Sequence, residues 1–446
     1  ILKDAASNAL YGARGANGVI MITTKKAKVG DAVVTFEGKW GMNTRALQNY
    51  DVTDEAGEYY EFHHRALMNY RTLENKWSEA DAYAWASQTL TSSDAGGLAY
   101  NVFTVPEGQN LIGTNGKLNP LATEGRLVNY KGQDFWLKPD NWLDEIYGSS
   151  FRQEYNVNVA GATDRSNFYA SMGYLDNTGV IEGSNMERIT ARLRADYQAK
   201  EWLKVGGNFT YAHFDWNNGF SNEGASDGGN AFATARRMAP IYPLYMRDGN
   251  GNIMIDEYGF QMYDFGDGRN GGSMRRQAGM ENDLQNLTLN KSNNEGNAFS
   301  ASGFAEFKLY DGLKLTINGN VTLDETRSTE LRNPYYGQFA VSGGVLSKGH
   351  SRSIAYNFQQ LLNYNKTFGK HNVDLLLGHE SYDLESYSIG ATKSGMFSPS
   401  YLELNGMVTD MASASSGKAE YNNEGYFFRG QYNFDERIYA SVSYRR

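Results

Sequence analysis

The chain has 446 residues, enough for two or three soluble domains, and its 42 Lys and Arg against 51 Asp and Glu give a formal net charge of -9. That acidic balance argues against a generally basic nucleic-acid surface, and the absence of cysteine excludes disulfides, thiol chemistry and thiolate metal sites. No run approaches the eighteen or so apolar residues of a membrane-crossing helix, the longest being stretches such as Val19-Ile20-Met21-Ile22.

The first stretch, ILKDAASNALYGARGANGVIMITTKK, reads as a helix stopped at Gly12, a glycine-bounded turn through Arg14, Gly15, Asn17 and Gly18, and then a strand. Glycines three apart can cradle a phosphate, but a phosphate loop follows a strand and opens a helix, whose N-terminus faces the anion. Here the order is reversed, which removes the nucleotide reading. The stretch starts without methionine or a cleavage-site pattern, so it is expected to be internal to a longer protein.

From residue 31 strict alternation dominates. It predicts eleven strands, at 31–42, 151–161, 166–175, 186–197, 201–214, 298–309, 313–325, 353–367, 371–390, 425–434 and 437–446. In LKLTINGNVTL, for example, Leu313, Leu315, Ile317, Val321 and Leu323 share one face, and Lys314, Thr316, Asn318, Asn320 and Thr322 share the other. The first long connection includes a helical stretch with Tyr59, Phe62, Ala66, Leu67 and Tyr70 on one side. A second helix is expected from Ser78 to Leu90, with Ser78 as N-cap and Glu79 and Asp81 in its first turn.

Such strands suit a soluble sandwich or an outer-membrane barrel, and three features favour the barrel. The strands run to about ten residues, the length of a tilted membrane span. The polar faces carry Arg192, Arg194, Asn318, Asn320, Arg429 and Gln431, poor material for a dry core. Trp40, Tyr155, Tyr174, Tyr197, Trp202, Tyr211, Phe304, Tyr432 and Phe434 crowd the strand ends, as in interfacial girdles. Tight turns at 162–165, 199–200, 310–312, 368–370 and 435–436 alternate with long connections at 43–150, 176–185, 215–297, 326–352 and 391–424. A bacterial barrel alternates in this way, with tight periplasmic turns and long outer loops. Eleven strands cannot close an even-numbered barrel, so more strands are expected beyond residue 446.

The remaining motifs are weaker. His63-His64 invites a metal reading, but no His-x-x-x-His pair or facial triad supports it, and exposed histidines on a loop helix are the simpler expectation. RDGNGNIMIDEYG at 247–259 begins like a calcium loop with Asp248, Asn250 and Asn252. Ile253 replaces the needed glycine and Gly259 the bidentate glutamate, so a β-turn is expected, and calcium would need another geometry. No cofactor is expected. No catalytic spacing is present, which argues against an enzyme. Trp136, Trp142, Trp216, Phe220, Tyr335 and Tyr336 fall in the expected outer connections. They are candidates for contact with a substrate or a partner, or else pack the loops together.

The residues Leu2-Lys3-Asp4-Ala5, Tyr11 to Ile20 and Ile22 to Lys26 resemble the end of the plug domain of TonB-dependent outer-membrane receptors, in the SusC/RagA branch of the Bacteroidetes. The stretches at 142–181, 187–212 and 353–383 resemble that branch's early barrel. The resemblance implies an all-β transmembrane antiparallel barrel, about eleven of twenty-two strands, with residues 1–28 as the end of an α/β plug and 29–446 as the barrel's N-terminal half. It implies active import of oligosaccharides or peptides, with a SusD-like surface lipoprotein and an inner-membrane TonB-ExbB-ExbD motor as partners. Transporter–lipoprotein pairs are common dimers in this branch. Within that frame Arg14 and Asn17 would hydrogen-bond to inward polar residues such as Arg192 or the neighbours of Asn318. A passive porin or a soluble glycan-binding adhesin would share the alternation without the plug segment or without the membrane.

Overall fold

Alternation produces strands because each residue presents its side chain to the face opposite that of its neighbour, and two faces in different solvents reward that pattern. A computed structural model of the chain describes residues 20, 27–46, 52–94, 96–219, 231–276, 282–336, 339–398, 400–408 and 413–446. The expected plug turn of Gly12, Arg14, Gly15, Asn17 and Gly18 lies outside the described residues, as does Phe220.

Eleven strands form one antiparallel sheet in sequential order: β1 Gly30–Asn43, β2 Ser150–Ala162, β3 Ser166–Thr178, β4 Asn185–Lys200, β5 Leu203–Asn217, β6 Lys291–Tyr310, β7 Leu313–Arg332, β8 Val345–Phe368, β9 His371–Ser394, β10 Ser413–Phe434 and β11 Ile438–Arg445. All eleven expected strands are present, and every neighbouring pair is antiparallel. The tight turns also lie where expected, with one shift. Ala199 and Lys200 stay in β4, which bulges between Gln198 and Lys200, so that the chain turns at Glu201 and Trp202. At the last turn Asp435 and Glu436 both take left-handed φ, 53° and 56°, the geometry that matches the twist of a hairpin.

The strands run further than their alternation suggested. β8 and β9 each have 24 residues and β10 has 22. On β7 the outward side chains are apolar from Leu313 to Leu323, which at about 3.4 Å per residue and a tilt of ~40° rises roughly 25 Å, one membrane thickness. Above that level the same face becomes charged. Arg327 pairs with Glu295 at 2.8 Å, His350 faces Glu325 at 3.0 Å, and Lys418 bridges Glu385 at 3.0 Å and Glu420 at 2.6 Å. The connections expected at 176–185, 326–352 and 391–424 are correspondingly shorter.

Within the belt the outward residues stand open, Met172 at 62% and Leu193 at 55% exposure. A contiguous apolar surface of that kind needs lipid or a partner to cover it. On the inner face Arg429 meets Asp374 at 3.2 Å, and Arg445 meets Glu380 at 2.9 Å. Phe427 is buried there because position 378 is glycine. A Cβ on Gly378 would fall 2.1 Å from the Phe427 ring.

The first and third long connections do not hang separately. They fold into one body with its own apolar core, in which Tyr60, Tyr100 and Tyr242 are fully buried beside Leu90, Leu98, Leu137, Ile241 and Leu244. Its helices are α1 Ala56–Asn69, α2 Glu79–Thr89, α3 Trp142–Ile146, α4 Ala231–Arg237 and α5 Asp283–Leu289. α2 starts as expected: Ser78 Oγ accepts from the Asp81 amide at 3.2 Å and donates to the Asp81 carboxylate at 2.6 Å. For α1 the expected face is corrected. Ala56, Tyr60, His64 and Leu67 are buried, while Phe62 and Tyr70 are about half exposed. The buried face includes two polar rings, and each finds a partner, so polarity did not mark it as an outer face.

Candidate transport lumen and its loop body

Two loops distant in sequence become one body through a few polar contacts. Asp140 holds Arg247 by two hydrogen bonds, Nη2 to Oδ1 at 2.6 Å and Nη1 to Oδ2 at 3.0 Å, and its Oδ2 also accepts from the Leu244 amide at 2.8 Å. A forked pair of this kind fixes direction as well as distance. Tyr100 donates to Asp264 at 3.0 Å, and Asp264 also accepts from the Gly266 amide at 2.6 Å and from Asn270 at 2.9 Å. Burial pushes the Asp264 carboxyl above its ordinary range, against the pull of the Arg275 guanidinium. No local pattern could have revealed Asp140 or Asp264, whose partners lie 107 and 164 residues away.

The aromatic candidates separate by position. Trp142 is buried: Asn141 caps α3 through Leu143 and Asp144, the indole Nε1 donates to Tyr242 O at 2.9 Å, and the Arg275 guanidinium lies 5.2 Å from its ring. Its 3% of exposed surface contributes to the wall of a cavity shared with Asn141, Ala235 and Met238. Trp136 is half-buried against Gly125, whose φ of +103° and missing Cβ let the indole lie on the backbone. Tyr335 and Tyr336 start from Asn333, whose Oδ1 accepts from both amides. Tyr335 packs on Tyr258 and Phe260, while Tyr336 stacks on Phe265 and donates to Asp256. These three residues pin loops together. Trp216 is a strand residue, contrary to its expected place in a connection. It lies on the polar side of β5, 47% exposed, at the upper lumen wall.

The histidine expectation is half corrected. His63 Nε2 donates to Gly96 O at 2.7 Å, but His64 is buried, with Nε2 3.1 Å from Ser87 Oγ and its ring edge-on to Tyr83. Burial pushes its imidazole below the ordinary value. Among the described residues no group of three His, Asp or Glu is arranged for a metal. The stretch at 247–259 is a turn, in which Asp248 Oδ1 accepts from the Asn252 amide at 3.0 Å and the Asn250 amide at 2.9 Å. These amides hold its carboxyl below the usual range.

Glu61 clamps α1 to the turn at 113–118, accepting from Lys117 Nζ at 2.8 Å and from the Leu118 amide at 2.8 Å. Burial pushes its carboxyl up, but these hydrogen bonds and the lysine charge outweigh it and hold the group below its ordinary 4.5. A lowered folded value means the clamp stabilises above the unfolded value and weakens as pH falls through the folded one. Protection of the Leu118 amide against hydrogen exchange, corrected for intrinsic rate, is therefore expected to drop below about pH 4.5 and to be independent of pH in Glu61→Gln, whose amide oxygen accepts without titrating. Acid-independent protection in the unaltered chain would contradict the clamp.

The inner face of the sheet carries a second polar cluster. Between β4 and β8 the inner face forms a cavity of about 380 Å³ lined by Arg192, Arg194, Asp196, Asn208, Asn318 and Gln359, among others. All the inward residues expected from alternation fall on this side of the sheet.

No family model matches the chain. Among curated proteins it is similar to TonB-dependent receptor P3 of Formosa agariphila, 24% identical over all of this chain and 36% of that protein. It is also similar to the TonB-dependent receptor SusC of Bacteroides thetaiotaomicron, 23% identical over 85% of this chain and 31% of SusC. Among solved structures it matches the RagAB peptide transporter with a TM-score of 0.70 and 22% identity, over 99% of this chain and 45% of that one. The chain is a relative of the SusC/RagA-type TonB-dependent receptors. It spans about a third of the length of these curated relatives and less than half of the solved one. The SusC/RagA-type likeness assigns the apolar belt to the lipid of the outer membrane and the polar face to the lumen of a β-barrel.

Proposed function

We propose that the chain forms the wall and outer loop body of a TonB-dependent importer. It would carry oligosaccharides, or peptides, across the outer membrane with a SusD-like surface lipoprotein and the TonB-ExbB-ExbD motor. The observation that carries this reading is a wall of eleven strands, apolar outside and polar inside, in a chain similar throughout to TonB-dependent receptors. Eleven strands are half of a twenty-two-stranded barrel, which is wide enough to need a plug, and residues 1–28 read as the end of one. Oligosaccharides come first because the inner wall offers amides and hydroxyls rather than apolar pockets. The likeness to a peptide transporter keeps peptides as the other class.

The lipoprotein's seat would be the loop tip at 339–344, 395–398 and 400–408. The Gly395 amide donates to Gly344 O at 3.1 Å and the Met396 amide to Gly343 O at 2.8 Å, tying the two loops together. Val341 and Phe397 stand 95% and 83% exposed on it.

The test is uptake of labelled oligosaccharides and peptides by cells with and without the receptor. A protonophore is expected to stop uptake, and Phe397→Asp is expected to lower co-purification of the lipoprotein. Uptake that continues without an energised inner membrane would make the protein a passive pore. Extraction in buffer without detergent would sink the membrane assignment.

A further inference from the structure

The lumen cavity between β4 and β8 has more recognition chemistry than a passive wall needs. Two guanidinium groups, Arg192 and Arg194, line it together with one carboxylate, Asp196. Asp196 is occupied by Arg194, 3.4 Å away. Arg192 commits its Nε to Asn208 Oδ1 at 3.1 Å, and among the described residues its two terminal nitrogens have no partner. The side chains of Asn318 and Gln359 are uncommitted among the described residues as well, and both line the same cavity.

One aromatic ring completes the lining. Phe304 lies against the wall because position 206 is glycine, where a Cβ would fall 2.5 Å from the ring. Lys204 Nζ, 6.0 Å from the Phe304 centroid, adds further positive charge beside it.

We propose that this cavity binds an anionic saccharide, holding the carboxylate of a uronate or a sulfate ester on Arg192. A guanidinium fork with two free N–H groups matches two oxygens of one anion. Carboxamides such as Asn318 and Gln359 both donate and accept, as sugar hydroxyls do. The half-buried Phe304 ring offers an apolar face for the C–H side of a pyranose. A peptide would need apolar pockets for successive side chains, and the lining supplies a single ring. The inference rests on the import reading and narrows its substrate class to acidic glycans.

The test is equilibrium binding to the detergent-purified receptor, by anisotropy of labelled tetragalacturonate with labelled maltotetraose as the neutral counterpart. Tetragalacturonate is expected to bind more tightly than maltotetraose and to lose its advantage as salt rises. Arg192→Gln should weaken the acidic probe about tenfold or more and leave the neutral one unchanged, with Arg192→Lys in between. Gln359→Ala should weaken both probes by a few-fold. Heat-modifiable gel mobility checks that each variant has folded its barrel.

The inference is overturned by equal affinities for the two probes, by an Arg192→Gln variant that binds both as before, or by equal losses for both. It is also overturned if an acidic tetrapeptide binds as tightly with the same dependence on Arg192. The import reading fails separately, through absence of energised uptake, and that outcome would leave the binding result intact.

Discussion

Trp142→Ala is expected to destabilise the loop body by about 3–5 kcal/mol, the usual cost of removing a large buried aromatic side chain. The indole is 3% exposed, fills the core beside Tyr242 and loses its hydrogen bond to Tyr242 O on truncation. The loss should be local. Hydrogen-exchange protection is expected to fall across 98–146 and 238–246, while the barrel strands keep theirs, because the loop core and the sheet are held by different contacts. Protease added to the detergent-purified protein should then cut the first and third connections. Trp142→Phe should retain most of the packing and cost less. A variant with full loop protection but lost uptake would show that Trp142 acts on solute instead of packing.

The second large effect is expected inside the wall. Glu380 is 5% exposed, accepts from Asn357 at 2.8 Å and pairs with Arg445 at 2.9 Å. Arg445→Met removes the cation beside a buried carboxylate, a change that costs at most about 3–5 kcal/mol, the figure for a charge left uncompensated. The guanidinium also lies 5.2 Å from the Phe427 ring, so its loss loosens the packing over Gly378. The temperature at which the barrel loses its compact gel mobility should fall. Adding Glu380→Gln to Arg445→Met should recover part of that fall, because the buried group is then neutral. If the double variant is as unstable as the single one, packing outweighs charge at this site.

Both effects arise at places that differ in how far the sequence revealed them. The inward position of Arg429, Arg192 and Asn318 is legible from alternation alone, because lipid and water select opposite side chains on the two faces. The upper parts of β8, β9 and β10 are not legible. There Ser347, Ser351 and Ser353, with Ser386 and Ser388, occupy one face, and Lys348, His350 and Arg352 the other. Both faces are wet at that height, so no polarity contrast marks a strand. Pairing continues because each strand is already in register with its neighbour.

The loop body shows the opposite case. Ser78 is legible as a cap because capping is local, a contact across three residues. The fate of Trp142, Tyr336 and His64 is not, because a loop aromatic or a histidine looks the same in sequence whether a distant segment covers it or not. Tyr100 meets Asp264, and Asp140 meets Arg247, only after the first and third connections have folded together.

By itself, then, the sequence determined the number of strands, their two faces and the turns between them, since these follow from a period of two read against two solvents. The tertiary structure alone decided how high the wall rises, which aromatic residues are buried and which inward side chains share a cavity. Those outcomes depend on contacts between residues far apart in the chain, and no local period records them.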